Sequence, residues 1–394
     1  MYRLRNATRG YDWGSATEIQ GFLGGTADPG RLAEVWMGTH ELGPSTVEID
    51  GAERSLTEVA GPLPLMMKIL AADRPLSLQV HPNAQLARAG YAAENAAGIP
   101  LDAPHRSYKD PWHKPEMVYA LTTFDTLVGF RPTAEILRVL DAVNTPLTRY
   151  LADELRLKPG FDGIVRILEL VVSNPPSVGE VDEVVASCRS LVAQHVDVKR
   201  AYTTLLEVAE HFPRDPGLVL VLLLNRLTLQ PGEAAFLGAG IIHAHLRGMC
   251  IEVMTSSDNV LRAGLTSKHV DPLGLVTCLE RGMSRLARIT PDVVGTETEV
   301  FAPEVEEFAL AVTQVAASDA EGTALYGRGH RIALCTGGAV ELVASDGSRL
   351  PLVRGDSVYV APGDGLVRVI GTGEVAVAFA PSDETAAARL IDLV

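Results

Sequence analysis

The chain has 394 residues, 47% hydrophobic and 21% charged, with 34 basic against 49 acidic side chains and a net charge of −15. At ~150 residues per domain this length predicts two or three cores, and the composition excludes a disordered chain. So negative a surface repels nucleic acid and anionic membranes, so any phosphate-bearing ligand is a small one held by locally placed cations.

Met1 to Asn6 lacks an apolar signal-type core, and the longest apolar stretch, Leu218 to Leu224, is too short to span a bilayer. Cys188, Cys250, Cys278 and Cys335 are scattered with no CxxC pair, as expected of buried free thiols in a reducing compartment. A cytoplasmic monomer is expected. From Met1 to Pro132 short apolar runs broken by Gly, Pro and Asp predict strands at Val47 to Asp50, Met66 to Leu70, Ser77 to His81 and Met117 to Leu121. A small helix is expected over Ala84 to Glu94, capped by Asn83.

The period then changes. Thr133 to Leu140 has helical spacing behind a Thr cap, and Ile164, Ile167, Leu168 and Val171 recur at i, i+3, i+4, i+7. Val181 to His195 and Val198 to His211 continue the pattern, with Asn174-Pro175-Pro176 as a breaker. Strands resume at Asn225 to Leu229, before the turn Gln230-Pro231-Gly232-Glu233. Further strands are predicted at Phe308 to Val315, Arg331 to Cys335, Val340 to Ala344, Ser357 to Ala361, Leu366 to Ile370 and Val375 to Phe379. The expected architecture is mainly β, with cupin or jelly-roll barrels and an inserted α-helical domain. Its divisions are residues 1–132 plus 213–289, residues 133–212, and residues 290–394.

Three stretches carry chemistry. In Ser77-Leu78-Gln79-Val80-His81-Pro82-Asn83, Gln79 and His81 share one face of a strand. In Tyr108-Lys109-Asp110-Pro111-Trp112-His113-Lys114-Pro115-Glu116, two prolines fix the backbone around Lys114 and Glu116. The third holds His243 and His245 at i, i+2, then Glu252, then Ser257 to Lys268. Gln79, His81, Glu116 and a later His make a mixed nitrogen and oxygen shell without thiolates, suited to a divalent metal of the zinc type.

These stretches resemble the type I phosphomannose isomerase family, whose hallmarks include a QxHP strand, a YKDPNHKPE loop and a PHAY…SDNxxRAGLTxK block. All three occur in order over roughly residues 1 to 275, with further matches at Tyr11 to Ser15 and Ala33 to His40. The resemblance implies one Zn2+ per chain, bound by Gln79, His81, Glu116 and His243. It makes Lys114 and Arg262 catalytic-site cations, places Glu252 in the pocket, and assigns Ser77, Lys68 and Lys268 to the phosphate. A lone Lys68 on an apolar strand agrees, because an interior ammonium is costly without an anion.

Three residues depart from the family pattern: His245 replaces a Tyr, Trp112 an Asn and Ile242 a Pro. His245 is expected to line the pocket, as a neighbour of the metal shell, a supplementary ligand or a proton carrier. The implied reaction interconverts mannose 6-phosphate and fructose 6-phosphate through an enediol, with Arg262 stabilising the developing charge and either Lys114 or Glu252 as base. The rival readings are a cupin-type metal oxygenase and a non-catalytic, metal-stabilised sugar-binding module.

Overall fold

A computed structural model describes residues 1–25, 30–280, 288–317 and 321–381; parts of the first and the last predicted divisions lie outside these described residues. The architecture is mainly β, with helices between the strand regions, as the sequence predicts. An eleven-stranded sheet runs in the order Arg288–Ile289, Ala234–Leu237, Glu116–Ala120, His243–Thr255, Leu65–Ala72, Glu34–Met37 and Ala7–Arg9, with four further strands attached. A nine-stranded sheet gathers the C-terminal strands together with Tyr2–Arg3. Among the described residues, no helix is long and apolar enough to cross a membrane.

Every residue of Leu65–Ala72 is buried, because both faces of the strand are covered. Leu65, Met67, Ile69 and Ala71 join the core shared with Phe301, Phe308 and Leu310 of the C-terminal sheet. Leu70 and Ala72 face inward beside Val118, Phe124 and Cys250. The barrel interior thus lies on the face away from the C-terminal sheet.

His243–Thr255 joins the two halves of the barrel. Its first part pairs with Leu78–Val80 and Phe124–Phe130, its second with Leu65–Ala72 and Glu116–Ala120. Between them, the register against Phe124–Phe130 shifts from His245 to Arg247, and Gly248 takes φ 113°. A Cβ at Gly248 would lie 2.4 Å from the Thr123 carbonyl oxygen, so the close crossing requires glycine. The shift reverses the inward parity. Ala244 and Leu246 pack outward on the helical core, whereas beyond the shift Met249, Ile251 and Val253 are the outward residues.

The helices Thr133–Val143, Pro146–Leu157, Phe161–Ser173, Val178–Ala193 and Ala201–Ala209 pack as a layer. Their apolar faces, including Ile164, Ile167, Leu168 and Val171, share one core with Leu78, Val80, Leu127, Ala244 and Leu246. The expected cap at Asn83 forms, its side chain accepting from the Leu86 N–H at 2.9 Å. The expected Thr133 cap does not: the N-cap is Pro132, whose ring leaves no side-chain acceptor, and Thr133 is already helical. The last predicted helix is shorter than expected, because Lys199 and Arg200 take positive φ and delay its start to Ala201.

At the C-terminal end, two predicted strand pairs are single long strands. Arg331–Ala344 and Val367–Phe379 pair throughout, with Gly338 opposite Gly373 and Val340 opposite Gly371. A Cβ at Gly338 would lie 2.1 Å from the Thr372 carbonyl oxygen, so the glycine there permits a close pairing. All four cysteines are free and buried.

Candidate active site and metal centre

Gln79 lies on a strand whose neighbours Leu78 and Val80 enter the helical core, so its own side chain turns inward, and His81 shares that face. His243 is the direct cross-strand partner of Gln79, and Glu116 pairs with Met254 at the start of its strand. Three strands thereby converge on one point. His81 Nε2 lies 3.4 Å from Glu116 Oε1, and His243 Nε2 lies 3.3 Å from Glu116 Oε2. Ligand atoms of His81, Glu116 and His243 all fall within 4.8 Å of one another. The Gln79 carboxamide reaches the same point, its Nε2 3.4 Å from His243 Nε2.

Backbone carbonyls fix the tautomers. His81 Nδ1–H donates to the Asn259 carbonyl at 2.7 Å and His243 Nδ1–H donates to the Ile241 carbonyl at 2.9 Å. Both rings therefore present an Nε2 lone pair inward. His81 Nε2 and Glu116 Oε2 are buried without any hydrogen-bond partner, a costly arrangement unless an ion fills the gap. Burial, with Lys114 nearby, pushes the His81 imidazole down to about 4. Burial would raise the Glu116 carboxyl, but Lys114, His81 and His243 together hold it well below the carboxylate range. A neutral His81 imidazole beside an ionised carboxylate, with the His243 Nε2 facing the same point, is an arrangement that a divalent metal binds, so the residues fit zinc.

Lys114 Nζ lies 3.1 Å from Glu116 Oε1, at the end of an arm running from Tyr108. Fully buried Asn259 holds this arm: its Oδ1 accepts from the Lys109 N–H at 2.7 Å, and its Nδ2 donates to the carbonyls of Asp110 at 2.8 Å and Trp112 at 2.7 Å. Asp110 reciprocates, its carboxylate accepting from the Ser257 hydroxyl and the Asp258 N–H, both at 2.8 Å. Since the Asn259 carbonyl also receives His81, one residue ties a metal-facing imidazole to the arm bearing Lys114 and Glu116. Beside it, Asp258 lies 3.4 Å from His40. Burial would raise the Asp258 carboxyl, but His40, with Lys114 and Lys68, holds it down to about 2.

Lys68 is placed inward, as expected, yet it does not lack an anion. Its Nζ lies 3.0 Å from Glu252 Oε2 and 3.7 Å from Glu34 Oε1, all three side chains being buried. Contrary to expectation, an interior Lys68 therefore does not call for an external phosphate: the protein supplies two carboxylates. Burial would lower the Lys68 ammonium, but Glu34 and Glu252 raise it above its ordinary range. His245 stands behind Glu252, its Nε2 3.4 Å from Glu252 Oε1 and its Nδ1 3.1 Å from Thr126 Oγ1. Both its nitrogens are thus engaged, and its ring packs against Phe124.

Arg262 pairs across strands with Gln79, which sets it beside the metal triad. Burial pushes its guanidinium down, and burial, Arg262 and Lys109 together push the Lys268 ammonium down. Among the described residues, Arg262, Lys268 and Lys109 have no carboxylate partner. The turn joining Arg262 to Lys268 is held by Asp215, which accepts from the N–H groups of Leu265 at 3.0 Å and Thr266 at 3.3 Å. Half-buried Ser77 follows Leu76, whose N–H donates to the His245 carbonyl at 2.8 Å. Trp112, the second departure, is an exposed residue of the arm, and Ile242 packs into the helical core.

Glu34, Asn259, Asp110, Asp258, Asp215 and Lys109 were not singled out by residue chemistry alone. All but Asp215 lie inside the quoted motifs Ala33 to His40, Tyr108 to Glu116 and Ser257 to Lys268, and that placement was the only available signal for them.

Fold and site together define a cupin-type metalloprotein with a histidine- and carboxylate-lined metal pocket and a cationic group beside it. Residues 1–133 match the family model "Phosphomannose isomerase type I, catalytic domain". Mannose-6-phosphate isomerase of Salmonella typhimurium is 35% identical over 95% of this chain and 98% of its own length, and that of Homo sapiens is 30% identical over 91% and 93%. A zinc-bound mannose 6-phosphate isomerase structure superposes with a TM-score of 0.87 at 32% identity, covering 96% of this chain and 99% of that one. The Salmonella typhimurium structure bound to fructose 6-phosphate and zinc superposes with the same score, identity and coverage. The chain belongs to the type I phosphomannose isomerase family.

Proposed function

We propose that Gln79, His81, Glu116 and His243 hold the zinc of this isomerase, and that Lys114, Arg262 and the lysines beside Arg262 handle its substrate. The enzyme interconverts mannose 6-phosphate and fructose 6-phosphate, a transfer of a proton between C1 and C2 of the open-chain sugar. Zinc, when bound, supplies a Lewis acid that polarises a sugar oxygen. The observation that carries the reading is the cluster of Arg262, Lys268 and Lys109, uncompensated by carboxylate among the described residues, beside the His81–Glu116–His243 triad. In a chain of net charge −15, such a cluster marks where a phosphate sits.

Lys268 and Lys109 grip the phosphate, with the Ser77 hydroxyl donating to it. Lys68, proposed from family resemblance for the same role, instead serves as counter-ion to Glu252. Arg262 stabilises the enediolate oxygen, where a positioned guanidinium needs little reorganisation. Lys114 transfers the proton. Glu252 is the weaker base, because its bridge to Lys68 favours the ionised carboxylate and so opposes proton uptake. His245 orients Glu252 rather than touching the sugar. The catalytic division spans residues 1–132 plus 213–289, followed in function by the helical 133–212 and the C-terminal 290–394. A cytoplasmic setting suits the four free cysteines, and a monomer suits a site assembled from one chain.

The test is fructose 6-phosphate formation from mannose 6-phosphate by protein as isolated, after chelation, and after zinc return. Activity should vanish with the chelator and come back with zinc. No turnover by the folded, zinc-loaded protein would refute the reading.

A further inference from the structure

The C-terminal sheet contributes nothing to the metal triad, yet one of its loops reaches the arm that carries Lys114. Glu307, just before the strand Ala309–Val315, accepts a hydrogen bond from His113 Nε2 at 2.6 Å. The pair is largely buried, with side-chain exposures of 24% and 27%. Glu307 is itself firmly placed. Its neighbour Phe308 is fully buried in the core shared with Met117 and Tyr119, and Tyr119 meets Phe301 edge-on at 5.5 Å.

The arm is anchored on either side of His113 and Lys114. Asn259 holds the Trp112 carbonyl, and the Thr255 N–H donates to the Pro115 carbonyl at 3.3 Å. Between those anchors, the contact with Glu307 is the only hydrogen bond from His113 or Lys114 that leaves the arm, among the described residues. A lysine ammonium rides on a flexible four-carbon stem, so its reach depends on where its backbone is held.

We infer that Glu307 is a positioning residue of the isomerase: through His113 it fixes the peptide from which Lys114 reaches the sugar. The inference rests on the role given to Lys114 above. It also assigns the C-terminal sheet a part in turnover rather than in packing alone.

The experiment compares Glu307→Ala, Glu307→Gln and Lys114→Ala with the parent protein, measuring kcat and KM for mannose 6-phosphate, bound zinc, and the thermal midpoint. Because a misplacement of about 1 Å costs up to roughly 10²-fold in rate, Glu307→Ala should lower kcat about tenfold and leave KM within about twofold. Zinc content and midpoint should stay at the parent values. Glu307→Gln should recover most of the rate, since its carboxamide oxygen accepts the same N–H. Parent-level kcat in Glu307→Ala while Lys114→Ala is inactive would overturn the role of Glu307 alone. Parent-level kcat in Lys114→Ala would overturn the reading of Lys114, and this inference with it. Equal losses in the Ala and Gln variants, or a loss accompanied by zinc release or a lowered midpoint, would also overturn it, as a merely structural contact.

Discussion

Replacing Lys68 by methionine separates two roles that predict opposite signatures. The ammonium lies 3.0 Å from Glu252 and 3.7 Å from Glu34. At an effective dielectric constant of about 20, those separations correspond to attractions of about 5.5 and about 4.5 kcal/mol. The cost of burying Lys68 offsets much of this. Its removal, however, leaves two buried carboxylates facing each other, with only Trp36 Nε1–H to Glu34 at 2.8 Å and His245 beside Glu252 as remaining partners among the described residues. Breaking a buried ion pair from one side costs about 3–5 kcal/mol, and that loss is expected here. Urea unfolding followed by near-ultraviolet circular dichroism, with zinc present, measures it. The Michaelis constant for mannose 6-phosphate should change little. Unaltered stability with a KM raised tenfold or more would refute the counter-ion assignment and return Lys68 to the phosphate.

Asn259→Ala should act at a distance from the sugar. It strands the Lys109 and Asp110 N–H groups and the Asp110 and Trp112 carbonyls, and unpaired buried polar groups cost about 1–3 kcal/mol each. Stability should fall by about 3 kcal/mol or more, and chelator competition should show weaker zinc binding, because His81 is bonded to the carbonyl of that residue. The chelated protein should also lose stability in mild acid. The His81 imidazole is lowered from 6.5 to about 4 on folding, so its contribution is complete above pH 6.5 and is lost as pH falls towards 4. That interval corresponds to about 3 kcal/mol, which urea titrations at pH 7 and 4 would measure and His81→Gln would abolish.

The local chemistry of the site was more legible than its wiring. Gln79 and His81 could be paired by strand alternation, since two residues along a strand return to the same face. Glu252 could not be joined to His245 in that way. Seven positions separate them, an odd number, and strict alternation would send one of them outside; only the register shift after His245 brings both inward. Lys68 illustrates a different limit. Its inward direction followed from the apolar strand around it, but its partner Glu34 lies on a strand whose pairing with Leu65–Ala72 is a long-range fact. Similarly, four short strands were expected where two long ones pair through Gly338 and Gly373, because glycine signals a departure from ordinary backbone without saying which. The helical layer was the most readable part, its periodic apolar residues needing no distant partner to be recognised.

The displaced register within His243–Thr255 also bears on how such a chain can change over time. Substitutions along this strand alter one side chain each, whereas losing or gaining a single residue near Gly248 would swap every later side chain between pocket and outer core, Glu252 among them, and leave His243 where it is. A length change there amounts to dismantling half of the site in one event. The strand can be rewritten letter by letter, but respacing it near Gly248 takes the site apart.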